Sequence, residues 1–309
     1  MAPSPTDNTS GVVAVDVKTK GKPIPDTAQL MSISILHEVN RIPEAQLIFD
    51  DGLIPEAKFD LTDGKFFEIG SEIEVKAGYD GNADTTIFKG IITGQRLRLD
   101  ERGGRLEVQC RDKTVEMTVA RTTALFEDQK DSDVVSKIVK DAGLSASIES
   151  TKVKRTQVQH DVSDWDFVRA LADRNGMVLM VKDGKVTAKE PKDTEAATLT
   201  VTMGGDVMSF DAASDASRLL AETTAFAWNS DKLEVQSKKS PPLSKPKWGN
   251  ENPKKWAQDV KSPKAMLNVP GEPDRRDLAT VVKARADRLS LAARQGTVSF
   301  QGNGKIEVG

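Results

Sequence analysis

The stretch Val13-Ala-Val-Asp-Val-Lys18 puts Val13, Val15 and Val17 on one side of the chain and Ala14, Asp16 and Lys18 on the other. A period of two is the geometry of a pleated strand, whose side chains alternate between faces. The next run repeats it, with Ile33, Ile35 and Val39 on one face and Ser32, Ser34 and Glu38 on the other. Outward from these, strands are expected at 45–50, 72–79, 86–99 and 105–111. The turn signals Asp51-Gly52, Asp63-Gly64, Asp80-Gly81-Asn82 and Gly103-Gly104 separate them. Several short strands joined by turns, all within 11–118, predict a small barrel or sandwich.

The period then changes. Residues 131–142 carry Val134, Val135, Ile138 and Val139 on one helical face, and Gly143 follows as a stop. A second helix is expected near 164–174. Ser163 is its cap, Asp166 sits three residues on, and Phe167, Val168, Leu171 and Ala172 form its apolar stripe, with Trp165 beside them. Asp183-Gly184 between apolar runs is a hairpin signal. Residues 119–192 therefore read as a compact α/β unit. Strands return at 198–203, 207–210 and in a long run 222–236.

Residues 237–272 hold Pro241, Pro242, Pro246, Pro253, Pro263 and Pro270, six of the fourteen prolines in the chain. They read as a Lys- and Pro-rich arm with little regular structure. A helix follows over 274–294, with Leu278, Val281, Val282, Leu289 and Ala292 inward and Gly296 closing it. Strands are expected at 297–301 and 305–308. Residues 1–10 read as a polar leader, and 302–309 as a strand just under way, cut short or continued by a partner.

The totals bound the function. The chain has 309 residues, enough for two or three domains. Its 44 basic and 47 acidic residues nearly cancel, whereas a general nucleic-acid binder is usually basic. Cys110 is the only cysteine, so no internal disulfide holds the fold. No apolar run approaches the roughly 20 residues of a membrane-spanning helix, and the N-terminus lacks the apolar core of a secretory signal. These observations place the protein's synthesis and assembly in the cytoplasm.

No catalytic, cofactor-binding or metal-binding residue is assigned. His37-Glu38 begins like the zinc motif H-E-x-x-H, but Arg41 stands at the second ligand position and the segment alternates as a strand. His160 lies in a polar stretch before a helix and reads as a turn residue. Asp80, Asn82 and Asp84 alternate like a calcium loop, but Thr85 replaces the required Gly and Ile91 the bidentate Glu. Cys110 shares the apolar face of a strand with Leu106 and Val108 and reads as a small buried hydrophobe. Asp50 and Asp51 are strand neighbours that point to opposite faces, so they cannot act as an acid–base couple. No phosphate-binding loop or nucleophile elbow is present.

Charge is unevenly spread. Residues 44–74 hold nine acids and two bases, and 232–264 hold nine lysines and three acids. Patches of opposite sign can be separate solvated surfaces, or they can meet across a subunit boundary and set its register. Trp248 and Trp256 among the lysines raise nucleotide stacking as a rival, without any recognised RNA motif beside them.

Four stretches carry a family resemblance. They are Pro43-Glu-Ala-Gln-Leu-Ile-Phe-Asp-Asp-Gly52; Phe66-Phe-Glu-Ile-Gly-Ser-Glu-Ile-Glu-Val-Lys-Ala-Gly-Tyr79 with Ile87-Phe-Lys-Gly-Ile-Ile-Thr-Gly94; Gln159–Gly176 with the Asp183-Gly184 hairpin; and Ala227-Trp-Asn229. In that order the chain resembles the hub portion of VgrG-type spike proteins, and the late control protein D and baseplate hub proteins of contractile-tailed phages. The resemblance implies an α+β, mainly β fold. Two small tube-like β-barrels, 11–118 and 193–301, would flank the α/β middle domain 119–192. It implies a homotrimer whose six barrels ring the base of a spike, adapting a sixfold inner tube to a threefold needle. Residues 302–309 would open the next, oligonucleotide-binding-type barrel, and neither the rest of that barrel nor a needle is in the sequence. The implied partners are the inner tube protein, baseplate proteins, a spike tip or C-terminal spike domain, and effector cargo. Neither nucleic acid nor stable membrane insertion is implied. The implied role is structural, within an injection particle assembled in a bacterial cytoplasm and driven out of it. The competing readings are a carbohydrate- or peptide-binding β module and an enzyme of unrecognised type.

Overall fold

The computed structural model describes residues 11–52, 58–101, 103–192, 196–230, 232–243, 252–270 and 275–309. The first unit is one antiparallel sheet of β1 (Val13–Thr19), β2 (Lys22–Pro23), β3 (Gln29–Leu36), β4 (Glu44–Asp50), β5 (Glu72–Tyr79), β6 (Thr85–Asp100) and β7 (Gly103–Arg111). The hydrogen-bonded order is β2-β1-β5-β6-β7-β4-β3. Val17 from β1, near one edge, and Ile33 and Ile35 from β3, at the other edge, pack into one apolar cluster. No helix contributes to that cluster, so the sheet curls around its own core, and Leu61 and Phe67 from the 58–71 loop fill it further. The ladder does not close between β2 and β3, so the barrel expected here is an open sheet.

The turn chemistry shows why the strands lie where they do. Asp51 is buried at the end of β4 and accepts hydrogen bonds from Leu61 N (3.0 Å), Thr62 N (2.8 Å) and Thr62 Oγ1 (2.6 Å). One carboxylate thus satisfies the otherwise orphaned donors of the returning loop, as a buried charge must. A short 3-10 turn, Lys113–Thr118, then leaves the sheet. It is capped by Asp112, whose carboxylate accepts from Thr114 N at 2.9 Å.

The second unit has a two-stranded ribbon, β8 (Arg121–Lys130) with β10 (Lys154–Ser163), and a three-stranded sheet. That sheet places β12 (Lys185–Lys189) between β11 (Val178–Lys182) and β9 (Ser145–Ile148), antiparallel to β11 and parallel to β9. Helices α1 (Asp131–Asp141) and α2 (Asp164–Arg174) complete it. The helices form as their periodicity predicts: Val134, Val135, Ile138, Val139, Val168 and Leu171 all enter one core. Ser163 caps α2 by accepting from Asp166 N and donating back to its carboxylate. The Asp183-Gly184 hairpin joins β11 to β12. His160 lies within β10 and not in a turn, at the register shift between Gln159 and Val162 where the β8–β10 ribbon loses its alternation.

The third unit departs furthest from expectation. In place of a second barrel there are two small sheets. One pairs β13 (Val207–Ser214) with β17 (Arg294–Phe300); the other has the order β15-β14-β16, from β14 (Glu222–Asn229), β15 (Glu234–Lys239) and β16 (Lys264–Asn268). The run 222–236 breaks into the hairpin β14–β15. The arm 237–272 is more regular than its prolines imply: α3 (Pro253–Asp259) begins on Pro253, whose fixed φ suits a first helical position, under an Asn252 cap. β16 then adds in parallel to β14. Helix α4 (Arg275–Ala292) packs on β14 and β15, and buries Leu278 and Val282 in one cluster and Ala286 in another. Ala292 is exposed and Ala293 buried in its place. Gly296 sits inside β17, where a Cβ would meet Asp211 O at 2.7 Å, and does not close the helix. Residues 198–203 and 305–308 form no strands. The leader 1–10 lies outside the described residues, as do Lys245, Lys247 and Trp248 of the arm.

The chain is thus mainly β with few helices. Its units are braced together. Asn40 and Leu179 exchange hydrogen bonds of 2.8 Å each, and Asp112 accepts from Gly184 N at 2.9 Å. Gly176 follows α2 at φ +72, and its Cα lies so close to α4 that a Cβ would meet Ala284 Cβ at 3.1 Å. Glycine alone satisfies both demands there.

Candidate assembly surfaces

The residues weighed for chemistry do not converge. His37 stands just past β3, half-buried, with Nε2 3.1 Å from Ile87 O and its ring edge-on to Phe88. His160 is exposed on the β8–β10 ribbon. Asp80, Asn82 and Asp84 form the β5–β6 turn. Asp80 is left-handed there (φ +58), Asn82 N donates to Tyr79 O, and Asp84 accepts from Thr85 Oγ1. Cys110 is buried in β7, and burial pushes its thiol up to about 12, far from the thiolate a nucleophile needs. Asp50 is exposed while Asp51 is committed to its loop. Among the described residues no group of three or more His, Cys, Asp or Glu is placed to hold a metal ion.

What the fold does present is strand backbone and apolar side chains facing outward. In the β13–β17 ribbon nearly every residue is exposed. Phe210 is 62% exposed, directly opposite Val298, and Met208 nearby is 74% exposed. A two-stranded ribbon alone is marginal in water, and an outward Phe and Met find no core of their own. The β15-β14-β16 sheet has a similar outer face. Ala225 and Ala227 turn inward, which leaves Trp228 opposite Val235, and Met266, 84% exposed, opposite Thr224. On the β8–β10 ribbon the exposed pair Leu125 and Val158 stand directly opposite each other. Each ribbon or sheet also ends in strands with an unpaired edge, the feature that recruits another chain.

The charged patches resolve in part. Several acids of 44–74 are neutralised within the first unit: Glu44 by Arg111 at 3.8 Å, Asp60 by Lys58 at 3.3 Å, and Glu68 by Lys20. The hydrogen bond and charge of Lys20 hold Glu68 below the usual carboxylate range. Of the arm lysines, Lys239 pairs with Glu222 at 3.2 Å. Trp256 packs beside Leu219, Leu243 and Ala257, so its ring is spent on a core and not offered for base stacking. The residues that sequence reasoning missed are the outward apolar ones, Met208, Phe210 and Met266. Apolar alternation marks them in sequence, but it cannot say whether the marked face is covered by the same chain or by another.

The comparisons with solved structures, and these alone, bear on the architecture. The family described as the Alg8 N-terminal domain matches residues 9–309. Among curated proteins, none matches the chain. The 43 kDa tail protein of prophage MuSo2 from Shewanella oneidensis has a similar fold, with TM-score 0.66 and 13% identity, over 94% of this chain and 83% of that one. The tail protein from Neisseria meningitidis MC58 aligns with TM-score 0.64 and 13% identity, covering 94% and 81%. Prophage tail protein gp18 from Listeria monocytogenes EGD-e aligns with TM-score 0.51 and 12% identity, covering 91% and 79%. At such identities the likeness is one of fold, and it runs almost the whole length of the chain.

Proposed function

The chain belongs to the Alg8 N-terminal domain family; from its tail-protein fold, and not from that family, we propose that it is a structural subunit of a contractile, phage-tail-like injection particle. It is the hub at the base of the spike. Three copies close a ring that adapts the sixfold inner tube to the threefold spike. Residues 11–118, 119–192 and 193–301 are its three units, and 237–272 reaches a neighbouring subunit.

The single observation that carries this reading is the β13–β17 ribbon. Two strands with both edges unpaired among the described residues, and with Phe210 and Met208 in solvent, make a poor free surface for a monomer and a good half of an interface. Burying those two side chains against a partner is worth roughly 1.5–3 kcal/mol each. The open β2 and β3 edges of the first sheet offer a second such seam. The inner tube, baseplate proteins, spike tip and cargo dock on the ring so formed, and assembly takes place in the cytoplasm. No helix among the described residues is long and apolar enough to cross a membrane. The work of such a subunit is contact and force transmission, with no reaction of its own.

The test is the mass of the purified chain by size-exclusion chromatography with multi-angle light scattering, across a wide concentration range. The expected result is a mass three times that of the chain, at least at the upper concentrations. A monomer throughout would overturn the ring.

A further inference from the structure

A cleft of about 380 Å³ opens between α2, α4 and the segment that follows β16. That is within the range of small-ligand pockets. Its floor is apolar, with Leu267, Pro270 and Val281, and its walls carry Arg174 from α2 and Arg285 and Arg288 from α4. Arg288 is satisfied: its Nη2 lies 2.9 Å from Asp173 Oδ1 and donates to Asp173 O at 3.1 Å. Among the described residues, no side-chain hydrogen bond or ion pair is made by the guanidinium of Arg174 or of Arg285.

The lack of a partner is notable at Arg174, which is half-buried. Near enough to Arg174 to act on its charge, Arg155 pairs with both nearby acids, Asp131 and Asp277, and still leaves its buried Nη1 without an acceptor among the described residues. Burial, and then the neighbouring Arg155 charge, pull Arg174 below the usual guanidinium range. In and behind the cleft four guanidiniums, Arg155, Arg174, Arg285 and Arg288, face three carboxylates, Asp131, Asp173 and Asp277. Among these described side chains one positive charge is left over, which suits a monoanion better than a dianion. A planar guanidinium offers paired N–H donors that match the two oxygens of a carboxylate.

We propose that this cleft binds a carboxylate carried on an apolar body, with Arg174 and Arg285 gripping the charge and Leu267, Pro270 and Val281 covering the body. Leu267 and Pro270 belong to the 237–272 segment proposed to reach a neighbour, but the cleft is argued from this chain's own residues and does not rest on that reading. A carboxylate of this kind can come from a small acid or from an acidic side chain beside an apolar residue in a peptide, and the experiment separates the two.

Ligand-detected NMR titrations of the full chain would use three probes: hexanoate, acetyl-Leu-Glu-amide and inorganic phosphate. The expected result is saturable binding of hexanoate or the dipeptide, the tighter of the two naming the source, with Kd weakened roughly tenfold in Arg285→Gln. Arg174→Met, which keeps the apolar stem, is expected to lose as much. Arg285 is exposed, so its variant is expected to fold even where the half-buried Arg174 tolerates no change. Absence of saturable binding by both carboxylates, unchanged affinity in Arg285→Gln, or phosphate binding as tightly as hexanoate would each overturn the proposal.

Discussion

Cys110 shows how far a single position can be followed. Its alternation with Leu106 and Val108 reads as a buried small hydrophobe, and the fold puts it inside the first core beside those residues. Burial moves the thiol from an ordinary 9.0 to about 12, and this has a consequence for stability. Above 9.0 the unfolded chain gives up the proton while the folded chain keeps it, so rising pH favours unfolding. The contribution is whole below 9.0 and drains away as pH climbs toward about 12, at up to ~1.4 kcal/mol per pH unit from this one group. Cys110→Ala removes the titration and leaves every other group in place. Urea denaturation of both proteins between neutral and strongly alkaline pH should therefore show the wild type losing stability faster than the variant above 9.0. Parallel profiles would mean that the thiol is not as desolvated as its neighbours imply.

At the level of elements, legibility followed the strength of the local pattern. β4, β5, β6 and β7 were readable because Asp-Gly and Gly-Gly turns bound short alternating runs, and α1 and α2 because each has one apolar stripe facing one core. α4 is readable from Leu278, Val281 and Val282, yet its stripe is blurred, since it touches two separate clusters and enters one of them only through the small Ala286. The β8–β10 ribbon escaped because its outward face mixes Leu125 and Val158 with Thr123 and His160, and register shifts break its period. β16 escaped because it pairs in parallel with β14 across the intervening arm, a long-range contact with no local turn to announce it. Of the assembly surface, the alternation of β14 was visible, whereas the outward turn of Phe210 was not, because exposure is a property of the packed fold. That exposure is testable. Phe210→Asp sits on an open face, so it should change folding stability by no more than about 0.5 kcal/mol. If this face lies in the ring, the same change places a charge against a partner's apolar surface and should shift the light-scattering mass from oligomer toward monomer. An unchanged oligomer with the charge in place would remove β13–β17 from the interface.

For the whole molecule the question is what holds the successive units together. The braces are few and specific. Asn40 ties the first unit to β11, and Asp112 ties it to the β11–β12 hairpin. Tyr79 donates to Gly302 O at 2.9 Å, and Lys182 meets Glu307 at 2.6 Å, so the segment after β17 returns to both earlier units. The deepest brace joins the middle unit to α4. Arg155 on β10 lies 3.2 Å from Asp131 of α1 and pairs with Asp277 of α4, and both carboxylates are almost wholly buried. Asp131 is fixed further by Asn175 at 2.6 Å and Gln157 at 3.2 Å. Removing one member of a buried ionic set strands the others, at a cost of about 3–5 kcal/mol. Arg155→Met should therefore do more than lower the melting temperature. The wild type is expected to unfold in one calorimetric transition, because the braces make partial opening costly. The variant should show an early transition in which α4 and the sheets it supports leave the rest. Neutralising the acids as well, by Asp131→Asn and Asp277→Asn in the Arg155→Met background, removes the stranded charges and should move the early transition back up. If Arg155→Met melts in a single step at the wild-type temperature, the units are coupled elsewhere. The middle unit and α4 would then be held together by the pairs Arg288–Asp173 and Lys283–Glu190.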